Sequence, residues 1–254
     1  MFKILTLLLA VYALMCLFLY VKQRTLMYYP TAPVERPDTQ VFWLENQGER
    51  LKIWRINEGD KTLLYFGGNA EAVEDNIPEF RQRFPTHSIY IANYRGYGGS
   101  SGQPGEQALF SDALALYDEV AGSGPVQVIG RSLGSGVAMW LASQRRVDKL
   151  VLVTPYDSIT RLAQSHYPIF PVRWLLRDHF DSISRVDAIN SPTLVLLSEV
   201  DATVPHRHSI RLIEALGDKV VDTITIPGTA HNDIDSDQRY LDELSRFLNV
   251  PASG

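Results

Sequence analysis

The chain has 254 residues, 45% hydrophobic and 21% charged, which is enough apolar material for one α/β domain and unlike a disordered protein. Its formal charge of −5 is spread without a basic block, which argues against nucleic acid as a partner and gives no reason to expect a polyanionic substrate. The single cysteine, Cys16, can form neither an internal disulfide nor a metal cluster, so cysteine usage does not indicate a compartment.

From Ile4 to Val21 no residue is charged, and these 18 residues would extend about 27 Å as a helix, close to the hydrocarbon thickness of a bilayer. The run is longer than the ~7 to 15 apolar residues of a signal peptide, and Leu19-Tyr20-Val21 offers no small-x-small cleavage site. A retained single-pass anchor is therefore expected. Tyr20, Tyr28 and Tyr29, with Lys22 and Arg24, suit the headgroup zone. Lys3 and the amino terminus oppose Lys22, Arg24 and Arg36, so the charges do not fix an orientation.

The prolines between Pro30 and Thr39 mark a connector. Val41–Leu44 and Leu51–Ile56 then read as a strand pair around Asn46-Gln47-Gly48. Short apolar runs at Thr62–Phe66, Ser88–Ile91, Val126–Ile129, Leu150–Val153, Thr193–Leu197 and Thr223–Ile226 suit strands buried on both faces. Helical patterns lie between most of them: Leu109, Ala113, Leu116 and Val120 share one face, as do Leu241, Leu244 and Leu248 after a capping segment at Ser236-Asp237. The alternation implies a mostly parallel sheet with helices on both faces. Thr160 to Ser191 breaks it, and reads either as a small cap or as a helix covering the sheet edge. Phe170, Trp174 and Leu175 there suit a lipid or acyl pocket as well as core packing.

Ser132 lies in Gly130-Arg131-Ser132-Leu133-Gly134, between a strand pattern and a helix pattern. A serine on such a turn is pushed into the open, with glycines two residues away on each side to leave room for the backbone. The three fixed positions alone would arise by chance in roughly one chain in ten, so partners must carry the assignment. A serine hydroxyl needs a histidine to take its proton, and that histidine needs a carboxylate to hold its tautomer. His231 is the histidine after the last strand pattern, with His206 and His208 as second choices. Asp201 ends the run Thr193–Val200 where the acid should stand, and Asp157 is its rival; Glu199, Asp233 and Asp235 read as solvated or turn-bonding carboxylates. Backbone N–H groups of Leu133 and Asn69 are the candidate oxyanion donors, the first at a helix start and the second beside Gly67-Gly68.

Together Phe66-Gly67-Gly68-Asn69-Ala70-Glu71, Asn93-Tyr94-Arg95-Gly96-Tyr97-Gly98-Gly99-Ser100, Gly130–Gly134, Asp201 and Gly228-Thr229-Ala230-His231-Asn232-Asp233 resemble the α/β-hydrolase superfamily. The resemblance runs from about Leu26 to Leu248 and is nearest to its membrane-anchored serine hydrolases, among them acyl-protein and lysophospholipid hydrolases and bacterial esterases or peptidases. It implies an α/β-hydrolase fold, a small cap and an N-terminal transmembrane helix, divided as anchor 1–25, connector 26–39 and α/β-hydrolase domain 40–254 with the cap at 160–191. It further implies an acyl-containing small molecule, lipid or acylated protein as substrate, with no metal or organic cofactor. A peptidase on the same residues and an anchored interaction protein with a vestigial site are the alternatives. One residue departs from the pattern: Gly67 stands where relatives usually carry histidine, a residue whose hydrogen bonds steady the loop.

Overall fold

The structure, a computed structural model, describes residues 2–250. The apolar N-terminal segment is a helix, α1 (Phe2–Met27), long and apolar enough to cross a membrane by length and composition. After an extended connector, β1 (Gln40–Asn46) and β2 (Glu49–Ile56) form a hairpin. Gln47 and Gly48 close it with φ of 52° and 79°, the left-handed pair that matches the twist of the strands.

Each apolar run expected to be a strand is one: β3 (Lys61–Phe66), β4 (His87–Ala92), β5 (Val126–Arg131), β6 (Lys149–Val153), β7 (Thr193–Val200) and β8 (Val220–Ala230). They form an eight-stranded sheet in the order β1-β2-β4-β3-β5-β6-β7-β8. β1, β2 and β4 pair antiparallel and every later pairing is parallel. The helices of the domain are α2 (Ile77–Arg83), α3 (Glu106–Val120), α4 (Leu133–Gln144), α5 (Ile159–His166), the short α6 (Val172–Leu175), α7 (His206–Leu216) and α8 (Gln238–Asn249).

The sheet buries side chains on both faces. On one face Leu109 and Leu116 of α3, Val137 and Leu141 of α4, and Leu212 and Leu216 of α7 join a single cluster. On the other, Phe80 of α2 and Leu241, Leu244 and Leu248 of α8 pack with Ile89, Ile129 and Leu194. Each such side chain contributes about 1.5–3 kcal/mol on removal from water. Asp237 caps α8, its side chain accepting the Arg239 N–H. Because β3, β5, β7 and β8 run parallel, the loops that follow them leave the same edge of the sheet. That edge is where glycine-rich, serine-, aspartate- and histidine-bearing loops meet.

Between β6 and β7 the chain forms α5, α6 and a 3₁₀ turn at Ile183–Ala188, without a strand. Phe170 and Leu175 are half-buried there, whereas Trp174 is 82% exposed and so does not pack in the core. α1 is tied to this segment at its C-terminal end. The buried Gln23 donates to Leu175 O (2.9 Å) and accepts from Arg177 N (2.7 Å). Arg24 and the Tyr28 hydroxyl both bond Asp178, at 3.1 and 3.0 Å. Tyr28, assigned from sequence to the headgroup zone, is 3% exposed instead, because the buried Asp178 carboxylate needs partners and Tyr28 supplies one.

Candidate active site

Ser132 joins β5 to α4 with φ of 49° and ψ of −114°, a conformation that a non-glycine residue holds only under constraint. The constraint is visible on both sides. Its N–H donates to Val153 O (2.9 Å), and its carbonyl accepts from the N–H and hydroxyl of Ser135 (2.9 and 2.6 Å). The flanking glycines are required by contact: a Cβ at Gly134 would strike the Phe66 carbonyl, and one at Gly130 would lie 2.6 Å from Ala138 Cβ. β3, β5 and α4 thus approach so closely that the serine is squeezed outward.

His231 follows β8 and brings Nε2 to 2.8 Å from Ser132 Oγ. Its Nδ1 lies 2.7 Å from Asp201 Oδ2, and the two side chains are 8% and 2% exposed. The other Asp201 oxygen accepts the N–H groups of Thr203 (3.0 Å) and Val204 (2.6 Å), so the carboxylate is fixed by its own loop before it meets the imidazole. A proton on Nδ1 would be shared with Asp201, leaving Nε2 free to accept from the serine.

Leu133 supplies the first N–H of α4, which has no carbonyl of its own helix to bond and carries the positive end of the helix dipole. The Gly67–Glu71 loop comes from β3, and a Cβ on Gly68 would stand 3.7 Å from Ser132 Cβ. Its stiffness comes from residues other than a histidine at 67. The Tyr94 hydroxyl donates to Gly67 O (2.8 Å), and Gly68 N–H donates to Glu71 Oε2 (2.5 Å). The Asn69 side chain accepts from Tyr97 (2.7 Å) and from Tyr29 N (3.0 Å), and donates to Met27 O (2.6 Å). The Asn93–Ser100 segment therefore braces this loop through two tyrosines.

Glu71 is the residue that sequence reasoning passed over. Its Oε1 accepts from Tyr65 (2.5 Å) and Asn76 (2.9 Å), and Arg131, next to the serine, lies 3.7 Å away while bonding Asp235 at 2.9 Å. Burial and the neighbouring Glu71 charge push the Tyr65 hydroxyl well above its ordinary pKa, so it stays a donor. The Asn69-Ala70-Glu71 run was the available signal, but nothing local tells which backbone N–H a glutamate reaches. A cavity of about 310 Å³ opens beside Ser132 and His231, with Asn69, Arg131 and Asp235 in its walls.

The other candidates go elsewhere. Asp157 is fully buried and bonds His208 Nδ1 (2.8 Å) and Arg211 (2.6 Å), away from His231. Burial would raise its pKa, but Arg211, His208 and the Ser158 N–H outweigh burial and hold it below the usual carboxylate value. His206 Nε2 is 2.9 Å from Ser198 O, Glu199 accepts the Gly228 N–H, and Asp233 accepts the Ala230 N–H. Among the described residues no group of three or more His, Cys, Asp or Glu side chains is placed to hold a metal ion.

Comparison with known proteins agrees with this architecture. Residues 61–178 match the alpha/beta hydrolase fold family. An uncharacterised protein of Mycobacterium tuberculosis is 34% identical over 93% of this chain and 90% of its own length. The alpha/beta hydrolase domain-containing protein aho-3 of Caenorhabditis elegans is 30% identical over 76% of this chain and 58% of its own length. Among solved structures, an esterase of Pyrococcus furiosus superimposes with a TM-score of 0.67 at 14% identity, covering 88% of this chain and 98% of that one.

Proposed function

This chain belongs to the α/β-hydrolase superfamily, and from that premise we propose that it is a membrane-anchored serine hydrolase that cleaves carboxylic esters or thioesters of acyl or lipid type. The observation that carries the reading is the 2.8 Å approach of Ser132 Oγ to His231 Nε2, on a strained turn, with Asp201 at 2.7 Å behind the imidazole. In this reading Ser132 Oγ attacks the acyl carbonyl as its proton passes to His231 Nε2. The carbonyl oxygen becomes an oxyanion held by the Asn69 and Leu133 N–H groups. The tetrahedral adduct collapses, its C–O or C–S bond breaks, and His231 returns the proton to the departing alcohol or thiol. Water then gives a proton to His231 and attacks the acyl-serine; the second adduct breaks its bond to Ser132 Oγ, which takes that proton back, and the acid is released. Asp201 keeps the imidazole in the required tautomer throughout and balances its positive charge.

The esterase named among the structural neighbours supports an acyl substrate by likeness of fold. The apolar α1 supports a membrane location. A fluorophosphonate probe tests the core of the reading: the wild-type protein should be labelled and Ser132→Ala should not. An unlabelled wild-type protein that also leaves a panel of acyl esters, thioesters and peptide amides intact would refute it, and preferential cleavage of amides would make the chain a peptidase.

A further inference from the structure

An apolar cavity of about 490 Å³ lies between α1 and the cap, within the usual volume range of small-ligand sites. Leu19 and Leu26 of α1 form one wall, and Leu162, Ala163, Phe170 and Leu176 form the other. Its lining also includes Tyr29 and Thr203. Tyr29 N–H donates to Asn69 Oδ1 and Thr203 N–H donates to Asp201 Oδ1, each at 3.0 Å. The apolar space therefore runs up to the loops that hold the proposed oxyanion donor and acid.

The position of the cap tip supplies an independent observation. Tyr12, midway along the apolar span of α1, stacks on Phe170 with ring centroids 5.9 Å apart and donates its hydroxyl to Ile169 O (2.7 Å). Tyr12 lies about 15 Å along the helix from Lys22. A bilayer crossed by α1 would therefore surround the cap tip. The tip is built for that. Tyr167, Ile169 and Trp174 are 58%, 69% and 82% exposed, and residues 167–176 contain one charge, Arg173, on a flexible stem able to run toward headgroups.

Irregular backbone is tolerated at that depth only where the protein itself satisfies its polar groups. Here the carbonyls of Tyr167, Pro168 and Phe170 all accept from Gln164 Nε2 (3.3, 3.3 and 3.1 Å). Gln164 Oε1 accepts the Val172 N–H (3.2 Å), Tyr12 covers Ile169 O, and the N–H groups of Trp174 and Leu175 cover Pro171 O. These five carbonyls thus have partners within the chain, as backbone placed in hydrocarbon requires.

We propose that this cavity binds the acyl chain of a membrane-resident substrate, which enters sideways from the bilayer between α1 and a cap tip sunk in the hydrocarbon. The proposal rests on the serine-hydrolase reading above, since the carbonyl at the end of that chain is what Ser132 would attack. The anchor is then part of the substrate site as well as a tether.

The test uses the full-length protein in phosphatidylcholine vesicles, with myristoyl and butyryl esters of one alcohol as probes. Filling the cavity from either wall, by Ala163→Trp in the cap or Leu26→Trp in α1, should lower kcat/KM for the long ester relative to the short one by about tenfold or more. Equal losses for both esters in both variants would overturn the proposal. A second measurement needs no turnover: a fluorophore on Ile169→Cys in a Cys16→Ser background should be quenched by a nitroxide deep in the lipid. Quenching by aqueous iodide instead would also overturn it. Absence of any Ser132-dependent hydrolysis would count against the hydrolase reading, and the fluorophore would still decide where the cap tip lies.

Discussion

Two serine–histidine–aspartate arrangements coexist in this molecule, and they differ in what surrounds them. In one, Ser132, His231 and Asp201 are linked at 2.8 and 2.7 Å. In the other, His208 lies 2.8 Å from Asp157 and 3.3 Å from Ser165. The Asp157 carboxylate is also bound by Arg211 and the Ser158 N–H and faces Arg161 at 3.6 Å, while the Ser165 hydroxyl already donates to Leu162 O. Ser165 sits inside α5, with no strained turn and no helix-start N–H beside it. The second group joins the cap to α7. Only the first has its serine on a strained turn at a helix start, a histidine whose other nitrogen faces a carboxylate free of arginine, and an open cavity beside it. Three residue types within hydrogen-bond reach do not by themselves make a reactive centre.

The largest expected effect separates the two carboxylates. Asp201→Asn should reduce kcat by about 10⁴-fold, because the amide favours the wrong imidazole tautomer. Near-normal turnover in that variant, with the loss appearing in Asp157→Asn instead, would reverse the comparison. The next effect concerns the Gly67–Glu71 loop, the proposed source of an oxyanion donor, which has no counterpart beside Ser165. Glu71→Ala frees the Gly68 N–H and removes a partner of Tyr65 and Arg131, and should cost about 10- to 100-fold in kcat with little change in KM. Glu71→Gln, which keeps an acceptor for that N–H, should recover part of the loss. A rise in KM alone would mean that Glu71 serves binding and not the geometry of the loop.

Asp157→Asn should act on stability. Losing the charged acceptor costs on the order of 1–3 kcal/mol in chemical denaturation, with turnover at 25 °C within a few-fold of wild type. The sign of the pH effect follows from the lowered Asp157 pKa. Its contribution to stability is present above the unfolded carboxylate value of about 3.9 and is lost as pH falls through the lower folded value. The wild-type midpoint should therefore fall over that acidic window more steeply than that of Asp157→Asn, and parallel curves would show that the buried pairings contribute nothing. The smallest effect is that of Ser165→Ala, which should leave hydrolysis unchanged within error. A large loss there would mean the second arrangement takes part in the reaction.

Much of this was legible in the sequence because it depends on short-range pattern. Apolar runs of four or five residues between turn signals suit strands buried on two faces, Gly130 and Gly134 mark the point where β3, β5 and α4 crowd together, and chain order places Asp201 and His231 after the last two strands. Tertiary structure decided what depends on residues far apart in the chain. It paired Asp157 with His208 and Arg211, it brought Glu71 to Arg131, and it turned Tyr28 inward to Asp178. It also laid the middle of α1 against the cap, where Tyr12 meets Ile169 across 157 residues of sequence. A local pattern states which backbone a segment prefers. Which side chain satisfies a buried carboxylate, or which two apolar surfaces enclose a cavity, is settled only when the sheet has fixed their positions, because those contacts follow distance in space and not distance along the chain.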